Sequence, residues 1–247
     1  MPHRLNRAGS IPFTMNLKEH FSKIENFYGE YMLQNDCAVV FSAALDGGFL
    51  FGKDAEVHPF GRPESFDACL FAIRHRKNIF FPAVNAEFVK IIKKRFPGLS
   101  CRESNFYIAT PEGFAGKEKV PARPLRISDA KTIARYWGNG EIKYIESRLK
   151  LYPAYGIFDG ERLVAWVGIH TMTERIAIMG FLHVMPEYRG RGYAESISTK
   201  LAHEIFKTGR IAGIHIWSDN TASMQLARKL GFEFVCPHYW FWYERKK

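Results

Sequence analysis

The residues best suited to chemistry lie in one short run, Arg189-Gly190-Arg191-Gly192-Tyr193-Ala194. An apolar stretch ending at Val184 leads in, and Ile197, Leu201 and Ile205 come after it at helical spacing, which predicts strand, turn and helix. Glycines at such a junction let the backbone turn tightly and approach a ligand. The first amides of the helix have no intrahelical partner, and the helix dipole adds partial positive charge there. The turn is therefore a candidate anion site. Arg189 and Arg191 supply fixed charge suited to phosphate oxygens. No Gly-Lys-Ser/Thr is present, and the glycine spacing is GxGxA, not GxGxxG, so neither a nucleotide P-loop nor a dinucleotide fold is expected.

Other chemistry-bearing residues are sparse. Ser218 lacks a GxSxG context, and no Ser/Thr residue joins a visible nucleophile–base set, which argues against a hydrolase. Asn220 and Ser223 sit where a helix begins, and plain capping accounts for Asn220 taken alone. The four cysteines, Cys37, Cys69, Cys101 and Cys236, form no CxxC pair and no zinc-type cluster. Reduced thiols in a cytoplasmic protein without a metal are the expectation. The formal charge of +10 calls for an anionic partner. No nucleic-acid motif accompanies that charge, and Lys90, Lys93, Lys94 and Arg95, interleaved with Ile91 and Ile92, fit the solvated face of a helix. No apolar run is long enough to span a bilayer, so no membrane partner is expected.

These residues need a scaffold of alternating strands and helices. The pattern predicts a helix at Met15–Gln34, strands at Cys37–Ala43 and Phe49–Gly52, and a helix at Ser65–Arg76 capped by Ser65. A strand at Ile79–Val84, a helix at Ala86–Phe96 and a strand at Asn105–Ala109 come next. After a Pro/Gly-rich stretch come a strand at Leu125–Ile127 and helices capped by Ser128 and Asp129 and at Ile142–Leu151. Strands are then expected at Tyr155–Phe158, Leu163–His170 and Ile176–Val184, and a helix at Ala194–Thr208. Ile214–Trp217, a helix at Thr221–Leu230 with Gly231 as its cap, and strands at Phe232–Val235 and Tyr239–Tyr243 complete the chain. The expected organisation is a disordered extension at 1–14, an α/β domain at 15–110, a linker at 111–124 and a second domain at 125–247.

The second half resembles the GNAT acyltransferase superfamily. Its pyrophosphate motif, Gln/Arg-x-x-Gly-x-Gly/Ala, is matched by Arg189, Gly192 and Ala194 after a Val-x-Pro-x-Tyr lead-in. A second segment occurs in order, Asp219-Asn220-Thr221-Ala222-Ser223 and then Lys229-Leu230-Gly231-Phe232. Within the superfamily the C-terminal half resembles FR47-like and glycine N-acyltransferase-like proteins, which have two domains. The resemblance implies an α/β fold with a mixed sheet, a GNAT domain in the C-terminal half and a degenerate GNAT-like domain before it. It implies transfer of an acetyl or other short acyl group from acyl-CoA to a primary amine of a small molecule, amino acid or peptide. Backbone groups at Leu182, His183 and Val184 would hold the pantetheine arm, amides from Gly190 to Ala194 the pyrophosphate, and Asn220 and Ser223 the other side of the arm. The N-terminal half would cover the acceptor side of the cleft.

Two departures bear on catalysis. The position of the family's general-acid Tyr is Ala227, and that of its strand Glu is Ile178. His183 is the first substitute as a base, with packing in a strand as its alternative role; Glu174 and His170 are weaker candidates. Loss of both usual groups also admits an acyl-CoA-binding sensor or scaffold. The oligomeric state stays open, a homodimer among the alternatives.

Overall fold

The structure, a computed structural model, describes residues 6–7, 17–35, 37–42, 46–52, 55–76, 78–137 and 141–243. The first elements are β1 (Asn6–Arg7), α1 (Leu17–His20), α2 (Phe27–Gln34), β2 (Ala38–Ser42), β3 (Gly47–Phe51), β4 (Val57–Gly61), α3 (Pro63–Cys69), β5 (Phe81–Val84), α4 (Ala86–Arg95) and β6 (Ser100–Ala109). After them come β7 (Arg123–Pro124), α5 (Ala130–Tyr136), α6 (Ile142–Leu151), β8 (Tyr155–Asp159), β9 (Arg162–Met172) and β10 (Ile176–Val184). The last are α7 (Tyr193–Phe206), β11 (Ile211–Trp217), α8 (Thr221–Lys229) and β12 (Glu233–Trp242). The fold is mixed α/β.

Several elements differ from the sequence expectation, each for a local reason. The helix expected from Met15 is broken into α1, a short 3-10 turn at Ile24–Asn26 and α2; Met15 and Asn16 lie outside the described residues. Asn26 breaks it: its Nδ2 donates to the His20 carbonyl at 3.0 Å, so the side chain competes with helical bonding. The helix expected to begin at Ser65 begins instead at Pro63, whose fixed φ suits a first helical position, and Ser65 is buried inside it. Strand β4 was not expected, because Pro59 interrupts its apolar pattern, yet it pairs with β3. The strand expected at Leu125–Ile127 is replaced by β7 and a 3-10 turn from Ile127. The last two strands are one, β12, running through Pro237. Of the expected extension at 1–14, only Asn6–Arg7 are described, and they pair with β2; Ala43 also lies outside the described residues.

The chain divides into two compact units, Met1–Asn105 with Cys236–Lys247, and Phe106–Val235. The stretch 111–124 thus belongs to the second unit. There the Ala115 N–H donates to the Leu230 carbonyl at 3.0 Å, and the Lys119 and Val120 N–H groups both donate to Ser196 Oγ at 3.1 Å. Its Pro/Gly content signals irregular backbone, which here is bound to the body of the unit.

In the first unit β1-β2-β3-β4 form an antiparallel sheet, and β5 pairs antiparallel with β12. Its core is aromatic, with Phe49, Phe66, Phe81 and Phe241 fully buried. Helix α4 buries Phe88 and Ile92 while Lys93, Lys94 and Arg95 are exposed, as an amphipathic helix should arrange them. None of the four cysteines is in a disulfide; Cys101 is exposed.

In the second unit the strand order is β6-β11-β10-β9-β8-β7. Strands β10 and β11 are parallel, so they require a crossover, and α7 supplies it. Ile197, Leu201, Ala202 and Ile205 of α7 join Val164, Trp166 and Ala177 of the sheet in one buried cluster. No helix among the described residues is long and apolar enough to cross a membrane.

Candidate acyl-CoA site

Two features of the second unit meet at the end of β10. The first is the cradle. After β10, a 3-10 turn at Pro186–Tyr188 leads into Gly190 and Gly192, both left-handed, with φ of +76° and +78°. Gly192 is the N-cap of α7, and the first helical bond comes only at Ser196, whose N–H donates to the Gly192 carbonyl at 3.0 Å. A glycine cap has no side chain to occupy the preceding amides, so those of Tyr193, Ala194 and Glu195 face outward along the helix axis. Nothing lies within 4 Å of where a Cβ on Gly190 would sit, so the cradle is open to a ligand.

The charges around the cradle are fixed by local bonds. Arg189 Nε donates to the Val184 carbonyl at 3.2 Å, and Arg191 Nη2 to the Glu187 carbonyl at 3.1 Å. Glu187 is itself paired with Arg162 at 2.6 Å, and the Tyr188 hydroxyl donates to Asp159 at 2.6 Å. In the first turn of α7, Glu195 is buried between Lys229 at 2.8 Å and Lys119 at 3.1 Å. Those lysines hold its carboxyl below the usual range, the hydrogen bond from Lys229 first. Without them its negative charge would oppose an anion at the cradle.

The second feature is an opening between strands. The β10–β11 ladder runs only from Ile176↔Ile211 to Met179↔Ile214, although β10 continues to Val184 and β11 to Trp217. Beyond Met179, β10 stays with β9, through His183↔Trp166 and Val184↔Ala165. Leu182, His183 and Val184 are half-buried beside this opening.

The sequence candidates are distributed unevenly over these features. Arg189, Gly190, Arg191, Gly192, Tyr193 and Ala194 form the cradle, and Leu182, His183 and Val184 line the opening. Asn220 caps α8, its Oδ1 accepting from the Ser223 N–H at 3.1 Å. That commits Oδ1 to the helix and leaves Nδ2 as the group able to donate to a ligand. Glu174 is exposed in the bend before β10, at the far end of that strand from His183; Ile176, where the strand begins, is already roughly 23 Å from His183 at strand rise, so Glu174 cannot serve there as a base. His170 is enclosed: its Nδ1 meets the Tyr144 hydroxyl at 2.8 Å, and Trp137 lies 5.2 Å from its ring. Burial, then the charge of Arg148, lowers its pKa to about 4.

His183 stacks on Trp166 at 4.7 Å, with Tyr136 at 5.7 Å. Burial, then Arg189, lowers its pKa, so the ring is neutral at pH 7. Its Nε2 and the indole Nε1 of Trp166 are both buried without a hydrogen-bond partner among the described residues. Ala227 and Ile178 are core residues with no polar group to offer. The Glu195 pairs were not legible, since Lys119 lies 76 positions from Glu195 in the chain. Glycines 168 and 180 inside strands did carry a signal, because strand glycines mark close backbone approach. Among the described residues no group of three or more His, Cys, Asp or Glu side chains could hold a metal ion.

The family model described as FR47-like protein matches residues 154–241, the stretch that contains both features. This stretch is similar to that family, and together with the structural neighbours the match supports the GNAT superfamily. No curated protein matches the chain. Solved structures are similar over more of the chain. An X-ray structure of a Drosophila protein is 20% identical, with a TM-score of 0.69, covering 79% of this chain and 73% of its own. A GCN5-related N-acetyltransferase from Kribbella flavida has a TM-score of 0.69 at 11% identity, covering 91% and 96%. A putative GNAT acetyltransferase from Novosphingobium aromaticivorans has a TM-score of 0.59 at 18% identity, covering 83% and 92%. At these identities the likeness is one of fold, and its coverage reaches into both units.

Proposed function

We propose that the protein is an acyl-CoA-dependent N-acyltransferase. It would move an acetyl or other short acyl group to a primary amine of a small molecule, amino acid or peptide. The observation that carries this reading is the opening of β10 from β11 directly before a glycine-lined helix N-terminus. A long ligand with a phosphorylated end and an apolar arm fits that pair of features: Arg189, Arg191 and the amides from Gly190 to Ala194 take the pyrophosphate. The backbone of Leu182 to Val184 takes the arm and the acyl carbonyl, with Asn220 and Ser223 opposite. The similarity of residues 154–241 to FR47-like proteins and the GNAT acetyltransferases among the structural neighbours favour the same class.

The chemistry asks for few special side chains. An amine attacks the thioester carbonyl, the C–N bond forms, the C–S bond breaks and the thiolate leaves. Backbone amides at the opening stabilise the developing oxyanion, and holding both reactants together supplies much of the remainder. We assign the base to His183: burial and Arg189 favour its neutral ring, its Nε2 has no hydrogen-bond partner among the described residues, and in the Nδ1–H tautomer that nitrogen carries the lone pair for the proton that the amine must lose. His183→Ala is expected to lower kcat at least about tenfold in a CoA-release assay over an amine panel. The lowered pKa keeps the base form populated below pH 6.5, so the acid limb of kcat/KM should fall below that value. Wild-type turnover in the variant would remove His183 from the mechanism.

The reading is tested by thermal unfolding with CoA, acetyl-CoA and longer acyl-CoAs. A ligand present at a hundredfold excess over its Kd should stabilise the protein by about 2.7 kcal/mol. An acyl-dependent shift sustains the proposal, and no shift with any of them ends it. Buried Ala227 and Ile178 favour one second reading, an acyl-CoA-binding sensor without catalysis. Binding without amine-dependent CoA release would select it.

A further inference from the structure

The ladder between β9 and β10 contains an exchange of rings and glycines. His170 of β9 lies directly on Gly180 of β10, and a Cβ on Gly180 would fall inside its ring. Phe181 of β10 lies in the same way on Gly168 of β9. The two rings meet edge to face, 5.4 Å apart at 78°. We infer that His170 and Phe181 are positioning residues that hold β10 open from β11, each ring seated on the opposite strand's glycine. The inference rests on the acyl-CoA reading, since the opening they hold is where the pantetheine arm would run.

The geometry explains the opening stepwise. Between Gly180↔Gly168 and His183↔Trp166 the register shifts, so Phe181 and Leu182 together oppose Val167. Two residues against one make a bulge, which bends the strand and re-aims the residues beyond it. Phe181 takes φ +39° there, a conformation a bulky side chain adopts only when its surroundings impose it. Those surroundings are aromatic and fixed. Trp137 lies 6.2 Å from the Phe181 ring, the Tyr144 hydroxyl holds His170 Nδ1, and Arg148 Nη1 donates to the His170 carbonyl at 2.8 Å. A straight continuation of β10 along β11 would take Gly180 away from the His170 ring and Phe181 off Gly168. The parallel ladder therefore stops at Met179.

The test compares His170→Ala, which removes the ring, with His170→Phe, which keeps a ring on Gly180 and removes only the Tyr144 bond. CoA binding is read by titration calorimetry and strand opening by hydrogen exchange, on protein whose folding is verified by urea unfolding. In His170→Ala the Kd for CoA should rise at least about tenfold, because small displacements of binding groups are costly. The amides at 180–182 should gain protection as β10 closes onto β11. His170→Phe should stay within about threefold of wild type, with unchanged exchange. Wild-type affinity and exchange in His170→Ala would overturn the inference, as would equal loss in both variants. Should His170→Ala fail to fold, Phe181→Leu takes its place with the same expected outcome. A wild-type protein that binds no CoA would end the acyltransferase reading instead, and the exchange measurement alone would then decide the wedge.

Discussion

Gly192→Val is expected to abolish the CoA-dependent thermal shift while leaving the protein folded. Gly192 has φ +78°, and as N-cap of α7 it stands directly before the outward-facing amides. A β-branched residue in that conformation costs about 1–2 kcal/mol in strain, a loss that a chain of this size tolerates. Packing adds little, because a Cβ there would meet only Lys119 Cδ, at 4.0 Å. The damage is local: strain moves the cradle, and the branched side chain covers the amides that would bind phosphate. In the wild type, about 2.7 kcal/mol of ligand stabilisation corresponds to a rise in Tm of roughly 5–10 °C. In the variant the melting curves with and without CoA should coincide. A full shift in the variant would mean that CoA does not use this turn.

Mild acid should destabilise the first unit strongly. His58 and His238 are buried there, and burial lowers their pKa values to about 4 and about 3. Smaller contributions come from the charge of His20 at His58 and from that of His58 at His238. His58 Nδ1 lies 3.3 Å from the Pro82 carbonyl, and His238 Nε2 lies 3.5 Å from Cys236 Sγ. Burial outweighs the Pro82 contact, which acts in the opposite direction. The folded pKa values of both rings lie below the unfolded value near 6.5. Their contribution to stability is therefore fully present above pH 6.5 and is lost as pH falls toward the folded values. At pH 5 the loss should be about 2 kcal/mol for each of the two. Urea unfolding at pH 7 and pH 5, tracked through a reporter in the first unit, measures it. Equal midpoints at both pH values would show that the two rings take up protons without opposing the fold.

The candidate site was legible where it is local. Arg189 to Ala194 could be read because a strand, a glycine turn and an amphipathic helix are contiguous in sequence, and helix N-termini bind anions by backbone geometry alone. Asn220 with Ser223 was legible for the same reason, and the structure gives Asn220 its capping bond. Helix α7 was set by the spacing of Ile197, Leu201 and Ile205, and α4 by Phe88 and Ile92 among lysines. Elements whose pattern is broken by proline, such as β4 and β12, were missed or split, because pairing with neighbours overrode the local cost of a missing N–H donor.

The features that only the tertiary structure decided depend on residues distant in the chain. The opening of β10 comes from rings and glycines on two strands in a shifted register, and register is set by cross-strand packing that no window of sequence contains. The charge state of Glu195 depends on Lys119 and Lys229, brought together from three parts of the chain. The attachment of 111–124 to the second unit, and the return of the end of β12 to the first, come from long-range hydrogen bonds and strand pairing. The sequence alone determined the glycine turn and the helices that frame it, since short-range propensity and capping suffice for both. Tertiary structure decided where the strands part and which charges face the cradle, since those depend on contacts that exist only once the chain has folded.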